Sequence, residues 1–344
     1  MTKLSRIRGY LALEPGIIGL LAMVVLVGMG ERMAERFLPL YLMALGGGVW
    51  AVGLFNAMDN LLSALYSFPG GYLAERWGTR RSLLLFNLMA GLGFAIVIAV
   101  PRWEAVIVGA VFFLSWSAIS LPATMSLVAR ALPQNKRAMG VSMHSLVRRL
   151  PMALGPLIGG ACVDRWGAVA GLRIAFGGAL AMAVAAALLQ QLLIEDDRPQ
   201  RPGPAPLPIA PEKNPLRLLK SMPGELKELL ASDILIRSCE QITYPFVVIW
   251  CMQIISRPVS GVEFGLLTTL EMATAVAVYI PVAHFADRGR KKPFVLATFA
   301  FFALFPLAWM ASHSFWALAG AFALRGLKEF GEPTRKSLIL DLAP

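Results

Sequence analysis

Apolar residues run along this chain in long continuous blocks. A single bilayer-spanning helix needs about 20 such residues. Ten blocks are long enough, at roughly 16–44, 49–74, 82–100, 104–129, 139–163, 168–194, 230–256, 261–285, 294–311 and 315–340. Strands of a membrane barrel would alternate apolar and polar positions over about ten residues. The blocks here do not alternate, so the pattern predicts helices: an all-α, polytopic transmembrane protein.

Composition supports this reading. Hydrophobic residues make up 57% of the 344 and charged residues only 15%. Soluble domains are nearer 45–50% apolar. The net charge of +11 would suggest a nucleic-acid partner on a soluble chain. Here the basic residues cluster in alternate connections. Nineteen Lys and Arg lie in the N-terminus and the even-numbered loops, against Arg102, Arg165 and Arg257 on the other side. The positive-inside rule therefore predicts a cytoplasmic N-terminus in the cell (inner) membrane and no nucleic acid. The basic start, with Lys3, Arg6 and Arg8, leads into a span without a small-residue cleavage site.

Cys162, Cys239 and Cys251 and the three histidines stand at no metal spacing and form no disulfide framework. There is no HExxH, GxSxG or Walker loop. The expectation is a protein that is not an enzyme and needs no metal or cofactor. Its partners are the lipid bilayer, a small-molecule substrate and protons, and the working unit is a monomer.

The stretch from Arg198 to Pro215 is rich in proline and unsuited to regular helix. It divides the chain into a six-helix N-terminal half, 1–194, a cytoplasmic linker, 195–229, and a four-helix C-terminal part, 230–344. The sequence after it predicts an amphipathic helix broken near Pro223, or else a solvated connector. The two parts are related. At an offset of 212, Gly53 meets Gly265, Asp59 meets Glu271, Pro69 meets Pro281, and Glu75-Arg76 meets Asp287-Arg288. At 211, Gly78 meets Gly289, Arg80-Arg81 meets Lys291-Lys292, and Pro122 meets Pro333; Glu31 meets Glu240 at 209. Internal repeats of this kind mark secondary transporters. Residues 134–194 have no partner, so the repeat predicts ten helices of twelve, with a truncated coding sequence preferred over a natural ten-span protein.

The connection Gly71-Tyr72-Leu73-Ala74-Glu75-Arg76-Trp77-Gly78-Thr79-Arg80-Arg81 resembles the signature loop of the major facilitator superfamily, with a shorter echo at Ala286-Asp287-Arg288-Gly289-Arg290-Lys291-Lys292. Gly155-Pro156-Leu157-Ile158-Gly159-Gly160 in span five resembles the Gly-Pro motif of its antiporter branch. Glu75 stands where the family usually has Asp, and span four carries no basic residue. The resemblance implies two pseudo-symmetric helical halves that rock about a midplane site. It also implies a cytoplasmic gate made by Gly71, Glu75, Arg76, Gly78, Arg80, Arg81, Asp287, Arg288, Gly289 and Lys291, and a sealing role for Gly155, Pro156, Gly159 and Gly160.

Charges inside the blocks carry the chemistry. Each costs at least about 2.5–3.5 kcal/mol at a helix centre, so it is paired or faces a cavity. The candidates for proton coupling or the substrate cavity are Asp59, Glu31, Glu35, Arg32, Arg36, Glu240, Glu271, Arg148, Arg149, Arg325 and Glu329. A carboxylate so placed can take up and release a proton as access alternates. Asp59 ranks first, then Glu31 and Glu35; a fixed ion-pair network is the competing role. The expected function is proton-coupled export of a small amphipathic or drug-like molecule. Uptake of a small anionic metabolite and a non-transporting truncated membrane protein are the alternatives.

Overall fold

A computed structural model describes residues 15–114, 147–193, 222–286, 292–331 and Arg335. Among the described residues the chain is helical, with no strand. The elements are α1 (Pro15–Glu35), α2 (Leu38–Ala44), α3 (Gly48–Trp77), α4 (Thr79–Ala99), α5 (Trp103–Leu114, the described part), α6 (Arg149–Leu193), α7 (Gly224–Thr243), α8 (Gly261–Ala286), α9 (Lys292–Met310) and α10 (Phe315–Gly326). Among the described residues, four stretches are both long and apolar enough to cross a bilayer: Arg80–Ala99, Arg149–Leu192, Gly261–Val278 and Lys292–Met310.

Proline and glycine set the boundaries. The first apolar block is not one helix: α1 ends at Glu35, and α2 begins at Leu38, directly after the two-residue turn Arg36–Phe37. Pro39 is the reason. It has no N–H for the Glu35 carbonyl, and its ring crowds that carbonyl. Gly78, with φ of 87°, makes the sharp turn from α3 to α4. Gly167, with φ of 77°, divides α6 into two arms where the sequence separates spans five and six. Both angles are costly for any residue with a side-chain Cβ. α7 starts immediately after Pro223. Its continuation is irregular: a tight turn at Tyr244–Phe246 around Pro245, then a wide turn at Trp250–Ile254.

The chain folds as two compact units, residues 1–199 with 260–266 and residues 200–259 with 267–344. In the first, Phe94, Phe113 and Phe176 form a mutual aromatic cluster, with centroids 5.4 to 6.0 Å apart, joined by Tyr41. Gly93 and Gly109 bring α4 and α5 into backbone contact; a Cβ on Gly93 would stand 2.5 Å from the Gly109 carbonyl. Arg173 donates to the Ile98 carbonyl near the end of α4 (2.7 Å), where a helix has unsatisfied acceptors. In the second unit, α9 carries Phe294, Phe301 and Phe305, which pack on Phe330 and Phe322.

The outer surfaces are apolar. Leu88 and Leu92 on α4, Leu188 and Leu192 on α6, and Leu304 and Leu307 on α9 are all exposed. Trp50 and Trp316, in the first turns of α3 and α10, are 92% and 81% exposed. Apolar helix faces edged by tryptophan fit a bilayer, where indole rings favour the headgroup level. A water-soluble protein rarely exposes so much contiguous apolar surface.

Candidate functional site: two buried charge clusters

In the first unit the charges gather at the end of α1. Glu31 and Arg32 lie on its last turns, and Glu35 ends it. Arg32 Nη1 donates to Glu35 at 2.7 Å, an i,i+3 pair along one helix face. Its other charged neighbours are Glu31 and Asp59. Asp59 comes from α3, bonds Ser63 one turn on, and has both Glu35 and Arg32 close by. Arg148, just before α6, adds its charge near Arg32 and Glu31. Arg36 lies in the turn after α1, and Arg149 opens α6. The structure thus brings Asp59, Glu31, Arg32, Glu35 and Arg148 together.

The Gly-Pro motif of α6 supports this cluster. A Cβ on Gly155 would stand 2.7 Å from Arg32 Cβ, and one on Gly159 would collide with the Met33 carbonyl. From the second arm of α6, Ala179 packs on Gly30 at a similar distance. Small residues let the helices approach until their backbones touch. The motif therefore sets where Arg32 sits. Its next residues face the start of α8. Gly160 packs on the Gly261 carbonyl, and Gly265 packs on Pro156 and Leu157.

The start of α8 is fully capped. Ser260 Oγ accepts from the Glu263 N–H at 3.2 Å, and Glu263 accepts from the Ser260 N–H at 2.7 Å, a reciprocal capping box. Asp164 takes the two donors between them, Gly261 and Val262, at 2.6 and 2.8 Å.

In the second unit, the cluster is assembled from three elements. Arg325 on α10 donates to Glu271 on α8 (2.5 Å) and to Glu240 on α7 (2.9 Å). Lys328, in the 3₁₀ turn Leu327–Gly331, donates to the same Glu240 oxygen at 2.5 Å. The Arg325 guanidinium lies 4.2 Å from the Tyr244 ring centroid and 5.3 Å from that of Phe305. Gly326 makes the reach possible: a Cβ there would stand 2.5 Å from the Glu271 carbonyl, so α10 runs against α8. Gly331 is held on α9 by Thr298 at 2.6 Å. Glu329 lies in the same turn as Lys328 and is half-buried. A separate pair, Asp233 and Arg335, joins α7 to the end of the chain at 2.6 Å, with Arg237 on the same carboxylate.

Tyr244, Gly326, Lys328 and the Asp233–Arg335 pair are not among the candidates from sequence. Tyr244 stands four residues after Glu240 and Lys328 three after Arg325, so helical spacing from a known candidate would have reached both.

Of the gate residues, Gly71 and Glu75 lie in the helical backbone of α3, their side chains outside the described part, and Arg76 and Arg81 are exposed. Arg80 bonds the side chain and carbonyl of Gln191 at the end of α6 (2.9 and 2.7 Å), while Gln190 donates to the Arg80 carbonyl at 2.6 Å. Asp287, Arg288, Gly289 and Lys291 lie outside the described residues.

Lipid-facing helices around buried, paired charges define a polytopic membrane protein of the transporter class. The family model for the Major Facilitator Superfamily matches residues 20–256, more than half the chain. The chain belongs to that superfamily, whose members are transporters rather than enzymes. A putative sugar efflux transporter of Deinococcus radiodurans is 26% identical over 213 residues, covering 60% of this chain and 52% of the relative. Multidrug resistance protein MdtG of Enterobacter lignolyticus (strain SCF1) is 32% identical over 153 residues, 41% of this chain and 35% of the relative. The chain thus spans about half, or less, of the length of these curated relatives. Among solved structures, the nucleoside transporter NupG (D323A mutant) superposes with a TM-score of 0.72 at 12% identity, covering 94% of this chain and 82% of that one. A bacterial homolog of the human lysosomal transporter Spinster, inward-facing and unoccupied, gives 0.69 at 13%, covering 95% and 75%. At these identities the likeness is one of fold.

Proposed function

We propose that the protein exports a small amphipathic or drug-like molecule across the cell membrane in exchange for protons, by alternating access about its membrane-buried charges. The observation that carries this reading is Asp59. It is a carboxylate within an apolar helix, whose charged neighbours Arg32 and Glu35 form a pair of their own. Protonating it removes a negative charge from a cluster where Arg32 answers Glu31, Glu35 and Asp59 together. The relatives named for sugar efflux and multidrug resistance support the outward direction. The basic connections support a cytoplasmic N-terminus. The loop with Glu75, Arg76 and Arg80, and its counterpart at Asp287, serves as the cytoplasmic gate. The bonds of Arg80 to Gln191 suit a fastening role in it.

The test is a pH gradient across proteoliposomes containing the chain, followed on addition of ethidium, a lipophilic cationic dye. Dissipation of the gradient that falls at least about tenfold in Asp59→Asn or Glu31→Gln supports proton-coupled export. Equal dissipation by both variants and the parent protein removes the coupling role from these carboxylates.

A further inference from the structure

The second-unit cluster has a feature that a fixed ion-pair network does not need. It holds two carboxylates and two cations, Glu240 and Glu271 with Arg325 and Lys328, and is neutral as built. The members are not equivalent. The Arg325–Glu271 pair is 5% and 2% exposed at the side chains and braced by two aromatic rings. Lys328 and Glu240 form the outer pair, at 15% and 11%. Both cations bond one oxygen of Glu240, Oε1, leaving Oε2 out of the described bonds. The two cations on this carboxylate each face an aromatic ring: Arg325 that of Tyr244, one turn along α7 from Glu240, at 4.2 Å, and Lys328 Nζ that of Phe302, at 5.4 Å to the centroid. Aromatic faces around a cation are the usual recognition chemistry of an organic ammonium, and a carboxylate bonded to the same cation supplies the opposite charge. In this structure the ammonium is supplied by Lys328 on a flexible stem, anchored in a single 3₁₀ turn.

We infer that Glu240, Tyr244 and Phe302 form a subsite for an organic cation with an apolar body, in which Lys328 Nζ stands in for the ligand's positive charge and is displaced by it. The inference rests on the export reading above and names the chemical class it would carry. The charged groups near Lys328 are Arg325, Glu240 and Glu271; α9 contributes the rings of Phe302 and Phe305. With a ligand cation on Glu240, a charged Lys328 would leave the cluster with one uncompensated positive charge in apolar surroundings, which is costly. Lys328 therefore leaves as the neutral amine. Its N–H bond breaks, the proton passes to water, and the electron pair stays on Nζ. One cation enters, one proton departs, and the cluster remains neutral. Arg325 cannot substitute in this role, because its guanidinium does not give up a proton in proteins.

The experiment is titration of the purified 344-residue protein with tetraphenylphosphonium, a permanent cation that carries no proton. It is run in lightly buffered detergent solution with a pH-indicating dye and no gradient. The expected result is saturable binding that releases about one proton per cation. Lys328→Met is expected to bind about tenfold more tightly and release none, a gain that a misfolded variant could not show. Lys328→Arg is expected to bind weakly and release none, and Glu240→Gln to lose binding. Arg102→Ala, in an exposed surface pair with Glu104, should bind and release as the parent does; because no gradient is applied, failure of the coupling role at Asp59 leaves this result standing. Undiminished proton release by Lys328→Met overturns the inference. So does parent-like binding by Glu240→Gln, no binding to the parent protein, or binding of benzoate with proton uptake in place of the cation.

Discussion

The two charge clusters start from repeat-related carboxylates, Asp59 and Glu271, and solve the same problem differently. In the first unit the arginine partner is local: Arg32 and Glu35 are three residues apart on one helix, with side chains 19% and 29% exposed. In the second unit the arginine comes from 54 residues away, on another helix, and its side chain is 5% exposed. The repeat-equivalent of Arg325 in the first half is Leu114, so no arginine approaches Asp59 by that route. A pair within one helix tolerates exposure because the helix itself holds the spacing. A pair between helices persists only if the helices are pressed together, which Gly326 allows. The comparison separates a first cluster whose closest pair is spaced by one helix from a second whose pairs are held by helix packing.

This contrast makes graded expectations. Arg325→Ala should be the most damaging change. It leaves two buried carboxylates short of a partner, and breaking a buried pair from one side costs about 3–5 kcal/mol. Thermal unfolding in detergent would show it, and a loss no larger than that of Arg32→Ala would end the comparison. Combining Glu271→Gln with Arg325→Met should recover much of that loss, because both partners become neutral; a double-mutant cycle reports the coupling. Gly159→Val should cost about 1–3 kcal/mol by overpacking against the Met33 carbonyl, and should lower dye export as well, since it moves the turn that carries Arg32. Arg32→Ala should cost less stability than Arg325→Ala, because Arg32 and Glu35 are the more exposed pair, while altering the pH dependence of transport. Smallest is Arg80→Ala, at about 0.5–1.5 kcal/mol for its bonds to Gln191, read as a shift in unfolding temperature.

Much of the architecture was legible from the sequence. Apolar blocks of bilayer length identified the helices, and the glycines at 78 and 167 fall at the sharp turns between blocks. The Gly-Pro motif announced tight packing, although the residues it packs against, Arg32, Met33 and Gly261, were not readable from it. The break after Glu35 was present in the sequence as Pro39 but was outweighed because the apolar runs on either side of the charges, Gly16 to Gly30 and Phe37 to Leu45, are each too short to span a bilayer alone. The irregular stretch after α7 had the same kind of signal in Pro245.

Sequence alone determined which residues are apolar, the turns at Gly78 and Gly167, and that several ionisable groups lie within apolar helices, because these follow from local composition and spacing. It also determined the pair Arg32–Glu35, whose geometry is a property of one helix. Only the tertiary structure decided that Arg325 serves two glutamates from two other helices, that Lys328 shares Glu240, that Tyr244 and Phe305 brace the guanidinium, and that Asp164 caps α8. Those contacts join residues far apart in the chain, and the helix packing that brings them together is written across the whole sequence, in no single motif.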